Sequence, residues 1–195
     1  MGKPQESDGR ARIWGFLLYP ESAVPNWRDV LTEMQVSAGL SPLHDRDVNP
    51  DGTLKKAHYH VVIAFDGKKS YEQVFEITDA LKATIPQRCR SVKGSVRYFT
   101  HMDNPEKAQY SKSDIVSING FDIEEQFKPT QSERFEILLE IQEFLINHEV
   151  TEYRELFDYA AHKQKDRWFS VVVNNTFVLK TYINSIRHSR GEKSE

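Results

Sequence analysis

Hydrophobic and polar positions along the chain change their pattern near residue 128. Before that point, short apolar runs that suit strands alternate with segments in which apolar residues recur at helical spacing. After it, only helical spacing remains. The first part predicts strands at 12–19, 57–65 and 88–93, helices at 26–37, 71–84 and 95–101, and a loop with a short helix at 114–127. The second part predicts helices at 130–147, 151–162 and 166–187.

These patterns predict an α+β protein, with an antiparallel sheet and flanking helices followed by a small all-helical C-terminal domain. A boundary near Lys128-Pro129 gives domains at residues 11–128 and 129–195. Residues 1–10 are polar and include Gly, Pro and Ser, so we expect them to be disordered.

The strand at 57–65 carries two histidines on one face. Side chains alternate across a strand, so His58 and His60 point one way, whereas Tyr59 and the apolar residues after it point toward the core. Two imidazoles side by side repel each other once both are charged, unless a metal holds both in the neutral form. A metal site is therefore one interpretation. The alternative is a pair of hydrogen-bonded histidines on a half-exposed strand.

A turn upstream of this strand brings a third histidine toward the pair. Asn49-Pro50-Asp51-Gly52 is a strong turn sequence, and a hairpin around it lays residues 41–47 against the strand at 57–65. His44 then lies across from His58 and His60. Asp47 has the wrong strand parity to share that face, so it joins the group only where the strand ends or bends. The predicted metal ligands are His44, Asp47, His58 and His60.

Charge is distributed unevenly along the chain. The net charge is −3, which by itself does not favour nucleic-acid binding. Yet two basic clusters surround the predicted metal site, and a phosphate-rich substrate would suit them. The first comprises Arg88, Arg90, Lys93, Arg97, Lys107 and Lys112, and the second Lys55, Lys56, Lys68 and Lys69. For Lys68 and Lys69, a solvated turn is the favoured alternative.

Two further features limit the class of protein. Cys89 is the only cysteine, which excludes an internal disulfide and a cysteine-based zinc ribbon, and we expect it to be a small buried residue. No apolar run is long enough to span a membrane and no charged-then-apolar leader is present, so we expect a cytoplasmic protein without a membrane partner.

Three ordered segments resemble the motifs of the HUH endonuclease superfamily, and most closely the RepB-type initiators of small rolling-circle plasmids of Gram-positive bacteria. They are Ser41-Pro42-Leu43-His44-Asp45-Arg46-Asp47, Ala57-His58-Tyr59-His60-Val61 and Arg97-Tyr98-Phe99-Thr100-His101. A weaker similarity covers residues 110–115 and 119–122. The resemblance spans about residues 12 to 127. It implies a ferredoxin-like palm that acts as endonuclease and binds the double-strand origin, and a C-terminal domain that assembles subunits into a ring.

The resemblance also implies a reaction. Tyr98 is the implied nucleophile, which would become joined to a 5′-phosphate and release a 3′-hydroxyl primer, with strand transfer and closure afterwards. Tyr110 is the rival nucleophile. Four protein ligands would fill a tetrahedral zinc site, so we expect octahedral Mn²⁺ or Mg²⁺ as the cofactor. Many viral relatives carry a lysine three residues after the tyrosine, where this chain has His101, so the role of that lysine does not transfer.

Candidate DNA contacts share a basic or aromatic character and lie near these motifs. They are Lys55, Lys56, Arg88, Arg90, Lys93, Arg97, His101, Tyr110 and Lys112. The expected partners are duplex and single-stranded plasmid origin DNA and further copies of the chain, with the host replication helicase and polymerase as candidates.

Three alternatives stay open at this stage. A relaxase or transposase of the same superfamily is one, although relaxases usually place the tyrosine before the histidines. A non-catalytic origin-binding regulator would bind DNA without forming a covalent adduct. A metal-stabilised structural module would lose thermal stability on chelation and would not bind DNA.

Overall fold

The computed structural model describes residues 9–191. The chain forms two compact units, Met1–Lys128 and Pro129–Glu195. The predicted disorder of residues 1–10 lies almost wholly outside the described residues.

The first unit is built on a five-stranded sheet with the strand order β4-β1-β3-β2-β5. All four strand pairings are antiparallel. The strands are β1 (Ala11–Leu18), β2 (Ser37–Leu40), β3 (Tyr59–Lys69), β4 (Gln87–Arg88) and β5 (Val116–Ile118). The expected α+β fold with an antiparallel sheet is confirmed.

Helices cover both faces of this sheet. On one face, α1 (Trp27–Glu33) and α2 (Tyr71–Ala80) pack on Phe16 of β1 and on Val61 and Ile63 of β3. On the other face, Val62 of β3 packs against residues of α3 (Val92–Tyr98) and α4 (Ile123–Phe127). The predicted division of β3 into a core face and a histidine face is confirmed.

Two of the strands were not predicted. Gly39, just after the helix predicted at 26–37, lies in β2, where a Cβ atom would be only 2.6 Å from the Phe121 ring. Helix α1 ends at Glu33, earlier than the predicted Ser37. β5 has only three residues, within the stretch where we expected a loop. Strands this short carry too little alternation to be recognised.

The segment around Gly94 also differs from the prediction. The expected strand at 88–93 is limited to Gln87–Arg88, and the expected helix at 95–101 begins at Val92 and ends at Tyr98. Gly94, between the two predicted elements, lies inside the helix. The Ser91 hydroxyl accepts a hydrogen bond from the Gly94 amide and caps α3.

The second unit contains α5 (Gln131–Asn147), α6 (Tyr153–Lys163), α7 (Ser170–Asn174) and α8 (Thr176–Gly191). Thr130 and Glu133 form a capping box at the start of α5, which agrees with the predicted start of this helix at residue 130. The third predicted helix is divided into a π-helical turn (Lys165–Phe169), α7 and α8. At the break, the Asn175 amide donates to the Val171 carbonyl.

The buried face of α5 agrees only in part with its helical spacing, which predicted Phe135, Leu138, Leu139, Gln142, Leu145 and Ile146 on one face. Leu145 is buried and Leu138 packs against the core, whereas Phe135, Leu139 and Ile146 are exposed. Ile137 and Ile141 are buried instead. Both faces of this helix are apolar, so helical spacing alone could not decide which one turns inward.

Among residues 9–191, none of the helices combines the length and the apolar character that crossing a lipid bilayer requires.

Candidate metal and tyrosine site

His44 lies at the centre of the site. It forms an isolated antiparallel bridge with His58, as the hairpin predicted, and the turn is closed by the Gly52 amide, which donates to the Asn49 carbonyl. The His44 side chain is fully buried, and its Nε2 lies 2.8 Å from the Phe99 carbonyl oxygen. A carbonyl only accepts hydrogen bonds, so Nε2 carries the proton and Nδ1 is left with a free lone pair.

His58 and His60 complete a group of three imidazoles. The Nδ1–H of His58 donates to the Lys56 carbonyl at 2.7 Å, which leaves its Nε2 unprotonated. The ring centroids of His44 and His60 are 4.8 Å apart, and those of His58 and His60 are 5.0 Å apart. One ring nitrogen from each of the three histidines lies within 4.8 Å of the others.

Asp47 and His101 form a second group that shares His44. The chain bends at Arg46, which allows Asp47 to approach despite its strand parity. One Asp47 oxygen lies 3.4 Å from His44 Nδ1, and the other lies 3.8 Å from His101 Nδ1. These three side chains also place one ligand atom each within 4.8 Å of the others. Asp47 thus meets the histidine cluster through His44.

Two buried ring nitrogens in this cluster lack hydrogen-bond partners among the described residues: His44 Nδ1 and His101 Nε2. Burying an unpaired polar atom is unfavourable, and such atoms are rare unless they bind something. In three of the histidines, the other ring nitrogen donates to a backbone carbonyl, at Phe99, Lys56 and Ala108. This is the arrangement that orients metal-binding imidazoles. The donor set therefore fits a divalent cation.

The electrostatics keep the cluster in the form that a cation needs. Burial, reinforced by the neighbouring imidazoles, lowers the pKa of His60 to about 3. Burial also lowers the pKa of His44. For Asp47, burial raises the pKa, but the hydrogen bond from Tyr110 and the nearby imidazoles outweigh it, and the pKa falls below its usual value. Neutral imidazoles and an ionised carboxylate are the ligand forms of these side chains.

Tyr98 stands beside this cluster at the end of α3. Its ring centroid lies 5.2 Å from that of His60 and 4.8 Å from that of His101. The side chain is about one-third exposed, so the hydroxyl can meet a ligand from solvent. Lys107 approaches the same hydroxyl, with its ammonium nitrogen 3.1 Å from the oxygen and 4.7 Å from the ring centroid. The hydrogen bond to Tyr98 raises the pKa of Lys107, so the lysine is charged.

Tyr110 occupies a different position. Its ring is stacked on His44 at 4.1 Å, and its hydroxyl donates to Asp47 at 3.0 Å and accepts from the Arg46 amide at 3.1 Å. The Arg46 guanidinium lies over the outer ring face, 4.8 Å from the centroid. Burial raises the pKa of Tyr110. Its hydroxyl is therefore occupied in orienting Asp47, and it is less suited to attack than the hydroxyl of Tyr98.

The predicted DNA contacts lie in varied surroundings. Lys56 pairs with Glu21, Arg97 with Asp103, and Lys112 with Glu124. Lys93 donates to the Lys128 carbonyl. Lys55, Arg88 and Arg90 are exposed. His101 is fully buried, so its side chain has no surface to offer to DNA; it groups with His44 and Asp47 instead.

Sequence reasoning did not identify two residues as part of the site. Lys107 was seen only as one member of a basic cluster, and His101 only as a possible surface contact. Both positions depend on the loop after α3, where His101 adopts a left-handed backbone conformation with φ of 56°. Histidine is enriched in this conformation, but it is common in other conformations as well, so the residue type alone did not predict it.

Comparisons with known proteins bear on the family of the chain. A family model described as "Plasmid replication protein, origin binding domain" matches residues 6–124, and one described as "Replication protein RepB, C-terminal" matches residues 131–188. A Staphylococcus aureus protein named "Replication protein" is 42% identical over 94% of this chain and 92% of its own length. A Lactiplantibacillus plantarum "Replication protein RepB" is 40% identical over 94% of this chain and 84% of its own. A Streptococcus agalactiae protein, also named "Replication protein RepB", is 27% identical over 95% of this chain and 97% of its own length. These matches cover both units at high identity, and the chain belongs to the RepB-type family of plasmid replication proteins.

Proposed function

We propose that this chain initiates rolling-circle replication by nicking one strand at a plasmid origin, with Tyr98 as the nucleophile. The observation that carries this proposal is the position of a partly exposed tyrosine beside a cluster of histidines, of which His44 and His58 are buried. The Tyr98 oxygen attacks phosphorus and loses its proton. The bond from phosphorus to the 3′-oxygen breaks, and that oxygen takes up a proton to become a 3′-hydroxyl. The 5′-phosphate remains on the tyrosine, available for strand transfer and closure.

His44, His58 and His60 are the proposed ligands of a divalent cation, Mn²⁺ or Mg²⁺, and Asp47 is the proposed fourth because one of its oxygens lies 3.4 Å from His44 Nδ1. Once bound, such an ion polarises the scissile phosphate as a Lewis acid. The carbonyls of Phe99 and Lys56 hold two of the rings in the required tautomer, and Tyr110 holds the carboxylate. The protein thus supplies a rigid, preformed ligand set.

Lys107 is the proposed electrostatic partner of the reacting oxygen. A tyrosine hydroxyl is a weak nucleophile at neutral pH, because its ordinary pKa is about 10. An ammonium group held at hydrogen-bonding distance offsets negative charge that builds on this oxygen or on the adjacent phosphate during the attack. This contribution does not require Lys107 to accept or donate a proton.

The second unit is the proposed oligomerisation domain. Several large apolar side chains on α5, α7 and α8 are exposed: Phe135, Leu139, Ile146, Val173, Phe177 and Val178. The Gln142 amide donates to the Tyr182 hydroxyl at 3.0 Å, which brings the exposed stripe of α5 beside α8. A bundle this small cannot bury two apolar faces per helix by itself, so we propose that copies of the chain cover this surface in a ring. Origin DNA is the proposed ligand of the assembly, in the bacterial cytoplasm.

The first prediction concerns the nucleophile. Tyr98→Phe should reduce the covalent adduct to background while origin binding persists, because the change removes one hydroxyl and keeps the ring. Protein is incubated with Mn²⁺ and labelled single-stranded oligonucleotides from the replicon that encodes the chain, and adducts are counted on a denaturing gel. Tyr110→Phe is the matched control and should still form the adduct, although more slowly because Asp47 is less well held. An adduct from the Tyr98→Phe protein would contradict the assignment, and wild-type binding without any adduct would favour the regulator.

The second prediction concerns charge at the reacting oxygen. Lys107→Met keeps the length of the side chain and removes its charge, so the nicking rate should fall by about a hundredfold with little change in DNA affinity. Lys112→Met is the control, since Lys112 pairs with Glu124 rather than with Tyr98. Single-turnover cleavage at saturating protein separates chemistry from binding. Equal rates for the two variants would remove Lys107 from the mechanism.

The third prediction concerns assembly. The intact chain should be a closed oligomer, whereas residues 1–128 alone should be a folded monomer that still nicks single-stranded origin DNA. Phe177 is 83% exposed, so Phe177→Ser should leave the fold intact and dissociate the oligomer. Glu155→Ser on α6 is the control, because α6 carries none of the large exposed apolar side chains. Light scattering at micromolar concentration decides: a monomeric intact chain would contradict the proposal.

A further inference from the structure

A groove of about 600 Å³ opens beside Tyr98, on the face of the sheet that carries α3. Its floor is formed by β1 and β3, where Gly15 pairs with Val62 and Leu17 pairs with His60. One wall is α3 with Tyr98. The volume falls within the range of roughly 300–1,000 Å³ that is common for ligand sites.

The opposite wall is the edge segment 84–89, which two sets of hydrogen bonds fix to β1. Thr84 and Leu17 exchange bonds of 2.9 Å at one end, and the Cys89 amide donates to the Ile13 carbonyl at 3.0 Å at the other. The groove is therefore preformed. Ile85 is 60% exposed on this wall and supplies an apolar surface there.

The chemistry of the lining suits a nucleobase better than a phosphate. Leu17, Val62 and Ile85 are apolar, and Gln87 and Ser95 offer neutral hydrogen-bonding groups. Arg88 also borders the groove, but it pairs with Trp14, whose side chain lies on the other face of the sheet, and alternation places the arginine side chain there too. Flat apolar faces with hydrogen-bonding edges are the features of an unstacked base.

Gly94 indicates that this space is kept open. Gly15 has a packing reason, because a Cβ atom there would lie 2.9 Å from the Cys89 thiol. Neither packing nor backbone conformation requires a glycine at position 94. Its φ is not positive, and a Cβ atom there would lie no closer than 3.7 Å to any neighbour. Glycine inside a helix is unfavourable relative to alanine. Gly94 and Tyr98 are one turn apart, so a side chain at position 94 would stand beside the tyrosine and narrow the groove.

We propose that this groove seats the unstacked base of a nucleotide that flanks the scissile phosphate of a single DNA strand. The inference rests on the proposed function, because the groove is continuous with Tyr98. A strand whose phosphate lies at the Tyr98 hydroxyl has its neighbouring nucleotide at the mouth of the groove. Ile85 and Leu17 then contact the base, while Gln87 and Ser95 contact its edge.

Cys89 reports on the groove directly. It is the only cysteine of the chain, it is partly exposed, and its thiol lies over Gly15 at the floor. A thiol reagent therefore labels one position. With the full-length Tyr98→Phe protein and Mn²⁺, saturation with a short single-stranded oligonucleotide of mixed sequence should slow labelling of Cys89 by roughly tenfold, as expected for a stacked base.

Gly94→Leu tests the same groove by filling it. This variant should fold with an unchanged or higher melting temperature, because helix propensity improves and no neighbour lies close. Its dissociation constant for the oligonucleotide, measured by fluorescence anisotropy, should rise roughly tenfold. Gly67→Leu, in open space near the far end of β3, is the matched control and should bind as the wild type does.

The outcomes separate this inference from the proposed function. Two results overturn the proposed base site, whether or not the wild type forms an adduct. One is that Cys89 is labelled as fast as without DNA while anisotropy shows that the protein is saturated. The other is that the oligonucleotide does not bind at all. An affinity of the Gly94→Leu variant for the oligonucleotide equal to that of the wild type also overturns it. If Cys89 is protected in the Tyr98→Phe protein but the wild type forms no adduct, the groove is supported and Tyr98 is rejected as a nucleophile. If Gly94→Leu does not fold, the protection of Cys89 still decides.

Discussion

The site depends on hydrogen bonds between imidazoles and backbone carbonyls. Phe99, Lys56 and Ala108 each accept from one histidine, and each bond fixes which ring nitrogen keeps its lone pair. For His44 and His101, that nitrogen is buried without a partner among the described residues. An arrangement that leaves two unpaired buried nitrogens is unfavourable by itself. A divalent cation at His44 Nδ1 would remove that cost for His44, which is why we connect the cluster with metal-dependent chemistry.

Two tyrosines next to this cluster have different surroundings. Tyr110 is stacked on His44 and bonded to Asp47, so its hydroxyl orients the Asp47 carboxylate. Tyr98 lies beside His60 and His101, partly exposed, with an ammonium group at its oxygen and an apolar groove next to it. The fold produces this asymmetry because α3 ends at Tyr98 and the loop after it turns back through His101, Lys107 and Tyr110. One short segment therefore supplies the proposed nucleophile, its proposed charge partner and the hydrogen bond that holds Asp47.

The sequence predicted the positions of side chains that depend on strand alternation and on turns. It did not predict the positions of side chains in the loop after α3. His58, His60 and their partner His44 could be placed because strand parity and an Asn-Pro-Asp-Gly turn determine their geometry. The burial of His101 and the approach of Lys107 depend on a left-handed residue in a loop, which carries no periodic signal. In the second unit, the helices were recognised, but α5 is apolar on both faces, and only packing decided that Ile141 rather than Leu139 is buried.

The central claim is that the unpaired nitrogen of His44 is a metal ligand. It is tested most directly by anomalous scattering at the manganese edge from crystals of the full-length protein grown with Mn²⁺. The account predicts a single strong peak among the ring nitrogens of His44, His58 and His60, in contact with His44 Nδ1. Manganese bound only at exposed carboxylates, or no peak near His44, would contradict it.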